Sequence, residues 1–136
     1  MSITKTTQRL TFNKSERLKS RKVIQSIFVQ NRHLKIYPFK LVWLTEPDEQ
    51  NFSLKMGVTA TKRLHKLAVT RNFIKRRMRE CLRLNKMLVY NKLSNKNIKL
   101  SFMLMYIGNE IVTYQEFDKK IKQLLIRLTE KINKTD

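Results

Sequence analysis

The chain has 136 residues, of which 30 are Lys or Arg and 10 are Asp or Glu, for a net charge of +20 at pH 7. A length of this order fits one domain that folds without disulfides or metal. The apolar share of 41% excludes a wholly disordered basic tail, and so much like charge on a small body points to a polyanion, with nucleic acid ahead of an anionic membrane surface.

A chain rich in Lys, Asn and Ile inflates its Lys by codon bias, but that bias also raises Glu, and acids are scarce here. Cys81 stands alone, which excludes a disulfide framework and a thiolate zinc site and fits a reducing cytoplasm. Met1 to Leu10 lacks the apolar core of a secretory signal, and no apolar run approaches the roughly 20 residues that cross a bilayer. The expectation is a cytoplasmic protein with no membrane partner.

Residues 1–11 show no apolar periodicity and read as a mobile basic segment; residues 12–134 read as a single domain. Ser20 is placed to N-cap a short helix whose apolar face is Val23, Ile24, Ile27 and Phe28. After Pro38, Phe39 to Leu44 reads as a strand covered on both faces. Residues 46–51 form a turn. Phe52, Leu54, Met56, Val58 and Ala60 then alternate with polar or small residues as a second strand, expected to pair with the first as a hairpin.

Residues 61–67 form a basic loop, followed by a long helix over roughly 69–90 with Ile74, Met78, Cys81, Leu82 and Leu88 on its apolar face. Leu100 to Ile107 is nearly all apolar and reads as an interior strand, parallel to the second strand because a helix connects them. Thr113 and Glu116 form a capping box for a last amphipathic helix carrying Tyr114, Phe117, Ile121, Leu124, Leu125, Leu128 and Ile132. The order α-β-β-α-β-α predicts an α+β fold: one two-layer sandwich with a mixed sheet.

The sharpest feature is charge. No acid lies between Glu49 and Glu80, while Lys55, Lys62, Arg63, Lys66, Arg71, Lys75, Arg76, Arg77 and Arg79 all do. On the long helix, Arg71, Lys75, Arg79 and Arg83 recur every four residues, with Asn72, Arg76 and Lys86 beside them, over an arc of about 140° opposite the apolar face. Cations that merely solvate a helix are normally interleaved with Glu one turn away. Without acids the stripe repels itself, and phosphates would neutralise it. Arg forks match phosphate oxygens, and Asn adds a neutral donor.

The pattern Lys62-Arg63-x4-Ala68-Val69-x-Arg71-Asn72-x-x-Lys75-Arg76-x-x-Arg79-Glu80 resembles the signature of the protein subunit of bacterial ribonuclease P. Phe12-x-Lys14-x-x-Arg17-Leu18 and the helix ending at Phe28 are similar to that family's N-terminal part. The resemblance runs from about Phe12 to Leu128. It implies a left-handed crossover between the parallel strands, a rare exception to the usual hand. It also implies a function: binding a catalytic RNA that, with its own Mg²⁺, removes the 5′ leader of precursor tRNA. The partners would be that RNA and precursor tRNA, with no obligate protein partner, no intrinsic cofactor and no catalytic residue on the protein.

Carried over residue by residue, the resemblance assigns RNA binding to Lys62, Arg63, Lys66, Arg71, Asn72, Lys75, Arg76 and Arg79. It assigns a leader cleft to Ile24, Phe28, Lys40 and Val42. Phe28 would stack a base and Lys40 would meet a phosphate, while Ile24 and Val42 stand where relatives often place aromatics. Phe73 departs from the family, which usually has a basic residue after the Arg-Asn pair; Arg77, one turn on, is the candidate substitute. The loop residues Leu64-His65-Lys66-Leu67 also lack the Gly often found in relatives.

His33 and His65 are not in metal-ligand spacing, and His65 reads as part of the basic loop. The acids form no Mg²⁺-holding cluster. Glu80 reads as a partner of Arg76 or Arg83, and Cys81 and Trp43 read as core. A ribosomal protein shares this size and charge but usually carries its cations on tails or loops; a protein-only nuclease would need the missing acid cluster.

Overall fold

The computed structural model describes residues 14–135, so the expected mobile segment 1–11 and Phe12 lie outside the described residues. A 3-10 turn, Lys14–Glu16, leads into helix α1 (Arg21–Gln30), strands β1 (Arg32–Ile36), β2 (Phe39–Pro47) and β3 (Ser53–Ala60), helix α2 (Ala68–Leu93), strand β4 (Ile98–Tyr106) and helix α3 (Tyr114–Thr135).

The caps follow the sequence signals. Ser20 Oγ accepts from the Val23 N–H at 3.3 Å, and Thr113 Oγ1 accepts from the Glu116 N–H at 3.2 Å. Asn31 ends α1 in the left-handed region (φ 53°), a conformation Asn tolerates better than most residues, and its N–H donates to the Ile27 carbonyl.

The sheet runs in the order β1-β2-β4-β3. The parallel pairing expected of the last strand is present, from Ser53 opposite Lys99 to Ala60 opposite Tyr106. The expected hairpin is not: β4 lies between the two strands and pairs antiparallel with β2 from Phe39–Tyr106 to Pro47–Ile98. The reason is burial. Seven of the nine β4 positions from Ile98 to Tyr106 carry apolar or aromatic side chains, so the strand is most stable where neighbours cover both edges and both faces. The hairpin partner of β2 is instead β1, joined through Tyr37-Pro38. The sequence gives β1 little signal, because only Leu34 and Ile36 alternate with charged residues on this short edge strand.

Helices α2 and α3 cover one sheet face. Phe39, Leu41, Leu54, Met56, Phe102 and Leu104 meet Ile74, Met78, Leu82, Phe117, Ile121 and Leu125 there. Phe39, Tyr106 and Phe117 form a ring cluster with centroids 5.2–5.4 Å apart. Val89 and Leu93, not Leu88, complete the buried face of α2. Val89 is eleven residues past Met78 and seven past Leu82, close to whole turns, whereas Leu88 is rotated away. On the opposite sheet face, α1 crosses the centre and closes a smaller core of Leu18, Ile27, Val42 and Met103. Strand β2 is thus covered on both faces, as its run of apolar residues predicts.

Candidate nucleic-acid interface

The loop of residues 61–67 holds its course by two anchors. The His65 Nε2–H donates to the Gly108 carbonyl at 2.7 Å, so this side chain is buried structure and not part of the basic surface. Arg71 Nη1 donates to the carbonyls of His65 and Lys66, each at 2.9 Å. Among the described residues only Asn31 has a positive φ outside glycine, so the loop takes this path without needing the Gly of relatives. Lys62, Arg63 and Lys66 are left exposed on its outer side.

Along α2, Asn72, Arg76 and Arg79 are exposed and Lys75 is half-buried. None of the described ion pairs involves Lys62, Arg63, Lys66, Lys75, Arg76 or Arg79. Arg71 belongs beside them in space, but its guanidinium shapes the loop. The stripe ends at Glu80, whose carboxylate pairs with Arg83 at 2.6 Å; the bond to Arg83 holds the Glu80 carboxyl below its ordinary range.

Lys86 is not on the basic face. It is 1% exposed, and its Nζ donates to Glu16 Oε1 at 2.7 Å, while the Tyr90 hydroxyl donates to Glu16 Oε2 at 2.5 Å. A helical projection sets Lys86 at the stripe's border; the buried carboxylate that claims it comes from 70 residues earlier in the chain. The same contact fixes the 3-10 turn, beyond which Arg17 bridges to Met56 and the Leu18 N–H donates to the Met56 carbonyl at 2.9 Å.

Arg17, Leu18 and Lys19 then form one wall of a groove of about 470 Å³, with Gly57, Val58 and Met103 on the sheet and Arg79 on α2. Gly57 matters here: an added Cβ would lie 3.0 Å from Met103 Cε and 3.4 Å from Leu18 Cβ, so the bare backbone keeps the groove open.

The four leader-cleft candidates divide. Phe28 is 43% exposed at the end of α1. Lys40 is half-buried on the same sheet face as Val42. Val42 itself is 1% exposed on the sheet beneath α1, so its side chain belongs to the small core; Ile24, on α1, is half-buried and packs against that core. Helix α1 needs an apolar seat on the sheet, and Val42 and Met103 supply it.

A family model described as Ribonuclease P matches residues 12–129. The chain belongs to the ribonuclease P protein family. Its role is therefore that of a protein component of ribonuclease P, in tRNA processing, with an RNA partner. It is 29% identical over 116 residues to the ribonuclease P protein component of Porphyromonas gingivalis strain ATCC 33277, with 85% of each chain covered, and equally to that of strain W83. In fold it is similar to the RNase P protein of Staphylococcus aureus, with a TM-score of 0.61, 20% identity and coverage of 82% of this chain and 94% of the other. The RNase P protein of Thermotoga maritima gives a TM-score of 0.60 at 23% identity, covering 82% and 96%.

Within this ribonuclease P family chain, the residues from Lys62 to Glu80 that carry the signature form the loop and the first half of α2. Sequence reasoning missed Arg17 and Lys19 as groove residues. The segment Lys14-x-x-Arg17-Leu18 stood out, but only the fold shows it running beside Gly57 and Arg79. Among the described residues, no helix is long and apolar enough to cross a membrane.

Proposed function

We propose that the exposed cations of the loop and of α2 bind the catalytic RNA of ribonuclease P, and that the surface between α1, the sheet and α2 receives the 5′ leader of precursor tRNA. Lys62, Arg63, Lys66, Asn72, Lys75, Arg76 and Arg79 meet the RNA, and Arg71 positions the loop that presents the first three. Phe28 and Lys40 contact the leader, joined by Arg17 and Lys19 along the groove.

One observation carries this reading: a row of cations along the loop and α2 that make no ion pair among the described residues, in a chain of this family. Phosphates relieve the repulsion of such a row and release counterions as they bind. Among the described residues no group of three or more His, Cys, Asp or Glu side chains stands together as a candidate metal site. In this reading the Mg²⁺ and the hydrolysis of the phosphodiester belong to the RNA, and the protein acts by binding and orienting it, in the cytoplasm.

Reconstitution tests the proposal. The purified chain is mixed with its matching ribonuclease P RNA and a 5′-extended precursor tRNA, at Mg²⁺ too low for the RNA to act well alone. Accurate 5′ cleavage in the mixture, but not with either component alone, is the expected result. Absence of enhancement would return the basic face to a structural RNA-binding role, and cleavage by the protein alone would place an active site on the chain.

A further inference from the structure

Phe73 stands where the family pattern has a cation, and its surroundings differ from the rest of the basic face. Phe73, Arg76, Arg77 and Glu80 follow the i, i+3, i+4, i+7 spacing of one helix flank. Tyr114, in the first turn of α3, faces them across a cleft of about 270 Å³. Phe73 is 39% exposed and Tyr114 is 38% exposed, so both rings keep substantial surface in water.

Arg77 does not replace the missing surface cation. It is half-buried, with its guanidinium 4.7 Å from the Phe73 ring centre and 5.6 Å from those of Tyr114 and Phe117. Its described contacts are thus with rings. The cleft is lined by the Phe73 and Tyr114 rings, by Arg77 and Arg76, and by Glu80, whose carboxylate is paired with Arg83; Arg76 is exposed on the helix that carries Asn72 and Arg79.

Aromatic walls attract a flat π system, a guanidinium offers donors to the acceptor edge of a base, and an exposed arginine offers a fork to the adjoining phosphate. The geometry points to a slot for one unpaired nucleobase with its phosphate, built from Phe73, Tyr114, Arg77 and Arg76. This inference rests on the RNA-binding reading of α2 and adds a contact of a different kind, to a base face instead of a phosphate. The base would come from the catalytic RNA or from the precursor tRNA.

The test uses the full chain in titrations against ribonuclease P RNA and, separately, against precursor tRNA with the RNA already bound, over a series of salt concentrations. Phe73→Leu keeps apolar cover over Arg77 and removes the ring. It should weaken binding roughly 5- to 100-fold in one of the two titrations, and that titration identifies the source of the base. The salt slope should not change, because no charge is lost, and Phe73→Trp should retain wild-type affinity. Arg76→Ala should instead lower the slope by about one, as loss of a phosphate contact does.

Wild-type affinity of Phe73→Leu for both RNAs overturns the slot while Arg76→Ala still weakens binding. So does an equal loss in Phe73→Trp, or a loss accompanied by a lower slope. If the wild-type chain binds neither RNA, or if Arg76→Ala changes neither affinity nor slope, the RNA-binding reading of α2 itself falls, and the slot with it.

Discussion

Replacing Lys86 by Met should be among the most destabilising single changes in this chain, although the residue is a lysine on a lysine-rich helix. Its Nζ is 2.7 Å from Glu16 Oε1, and the two side chains are 1% and 6% exposed. The Met variant removes the Lys86 ammonium from an enclosed Glu16 carboxylate that keeps the Tyr90 hydroxyl as a donor. Breaking a buried pair from one side costs about 3–5 kcal/mol. That is a large part of the roughly 5–15 kcal/mol that holds a domain folded. At roughly 3–5 °C per kcal/mol for a domain of this size, the thermal midpoint should fall by about 9–25 °C.

Urea unfolding followed by the fluorescence of Trp43, the only tryptophan and 4% exposed, reads the loss directly. The double variant Glu16→Leu with Lys86→Met removes both charges and should recover most of the stability, since the desolvation cost disappears with them. A loss below about 1 kcal/mol for the single variant would refute a strong contribution from the buried Lys86–Glu16 pair. A double variant as unstable as the single one would show that packing, not charge, sets the cost.

Arg71→Ala should lower RNA affinity and also cost about 1–2 kcal/mol of stability, because two carbonyls of the loop lose their donor; Arg71→Lys should not restore both, and an unchanged urea midpoint would count against the anchoring role. Arg76→Ala, by contrast, should leave the midpoint in place. Phe28→Ala should weaken binding of precursor tRNA by about 1 kcal/mol, as loss of one stacked base does, and spare leaderless tRNA; equal losses in the two titrations would remove Phe28 from the leader contact. Stability should also decline at alkaline pH. Burial pushes the Cys81 thiol up to about 11, with Asp118 adding to the rise, against an ordinary value of 9.0. Its contribution is full below pH 9, where both states are protonated, and is lost between 9 and 11 as only the unfolded thiol ionises. Burial likewise raises Tyr90, Tyr106 and Tyr114, which extends the decline to higher pH. Urea midpoints from pH 8 to 11 should fall less steeply in Cys81→Ala than in the wild type, and parallel slopes would refute the role of the thiol.

Much of the architecture is legible in the chain because it is local. Ser20 and Thr113 cap helices through atoms three residues away, and the parallel relation of β3 and β4 follows from the helix between them. What failed was non-local. Nothing in the alternation of β2 and β3 says that a strand some 40 residues later will part them, and β1 is too short and too charged to announce itself. The candidate site shows the same division. The cations of the loop and of α2 are visible as a run without acids, but their individual duties are not: Arg71 serves the loop, Arg77 lies against three rings, and Lys86 turns inward.

The sequence by itself determined the polyanion partner, the family, the helices and the basic face, since charge balance, motif spacing and helical period are all properties of neighbours along the chain. Only the tertiary structure decided which of those cations face water and which are held by the fold. A carboxylate from the 3-10 turn, two loop carbonyls and an aromatic cluster each engage a cation whose partners the helical period alone does not reveal; burial takes Lys86 out of the surface, and the other contacts fix how Arg71 and Arg77 are held.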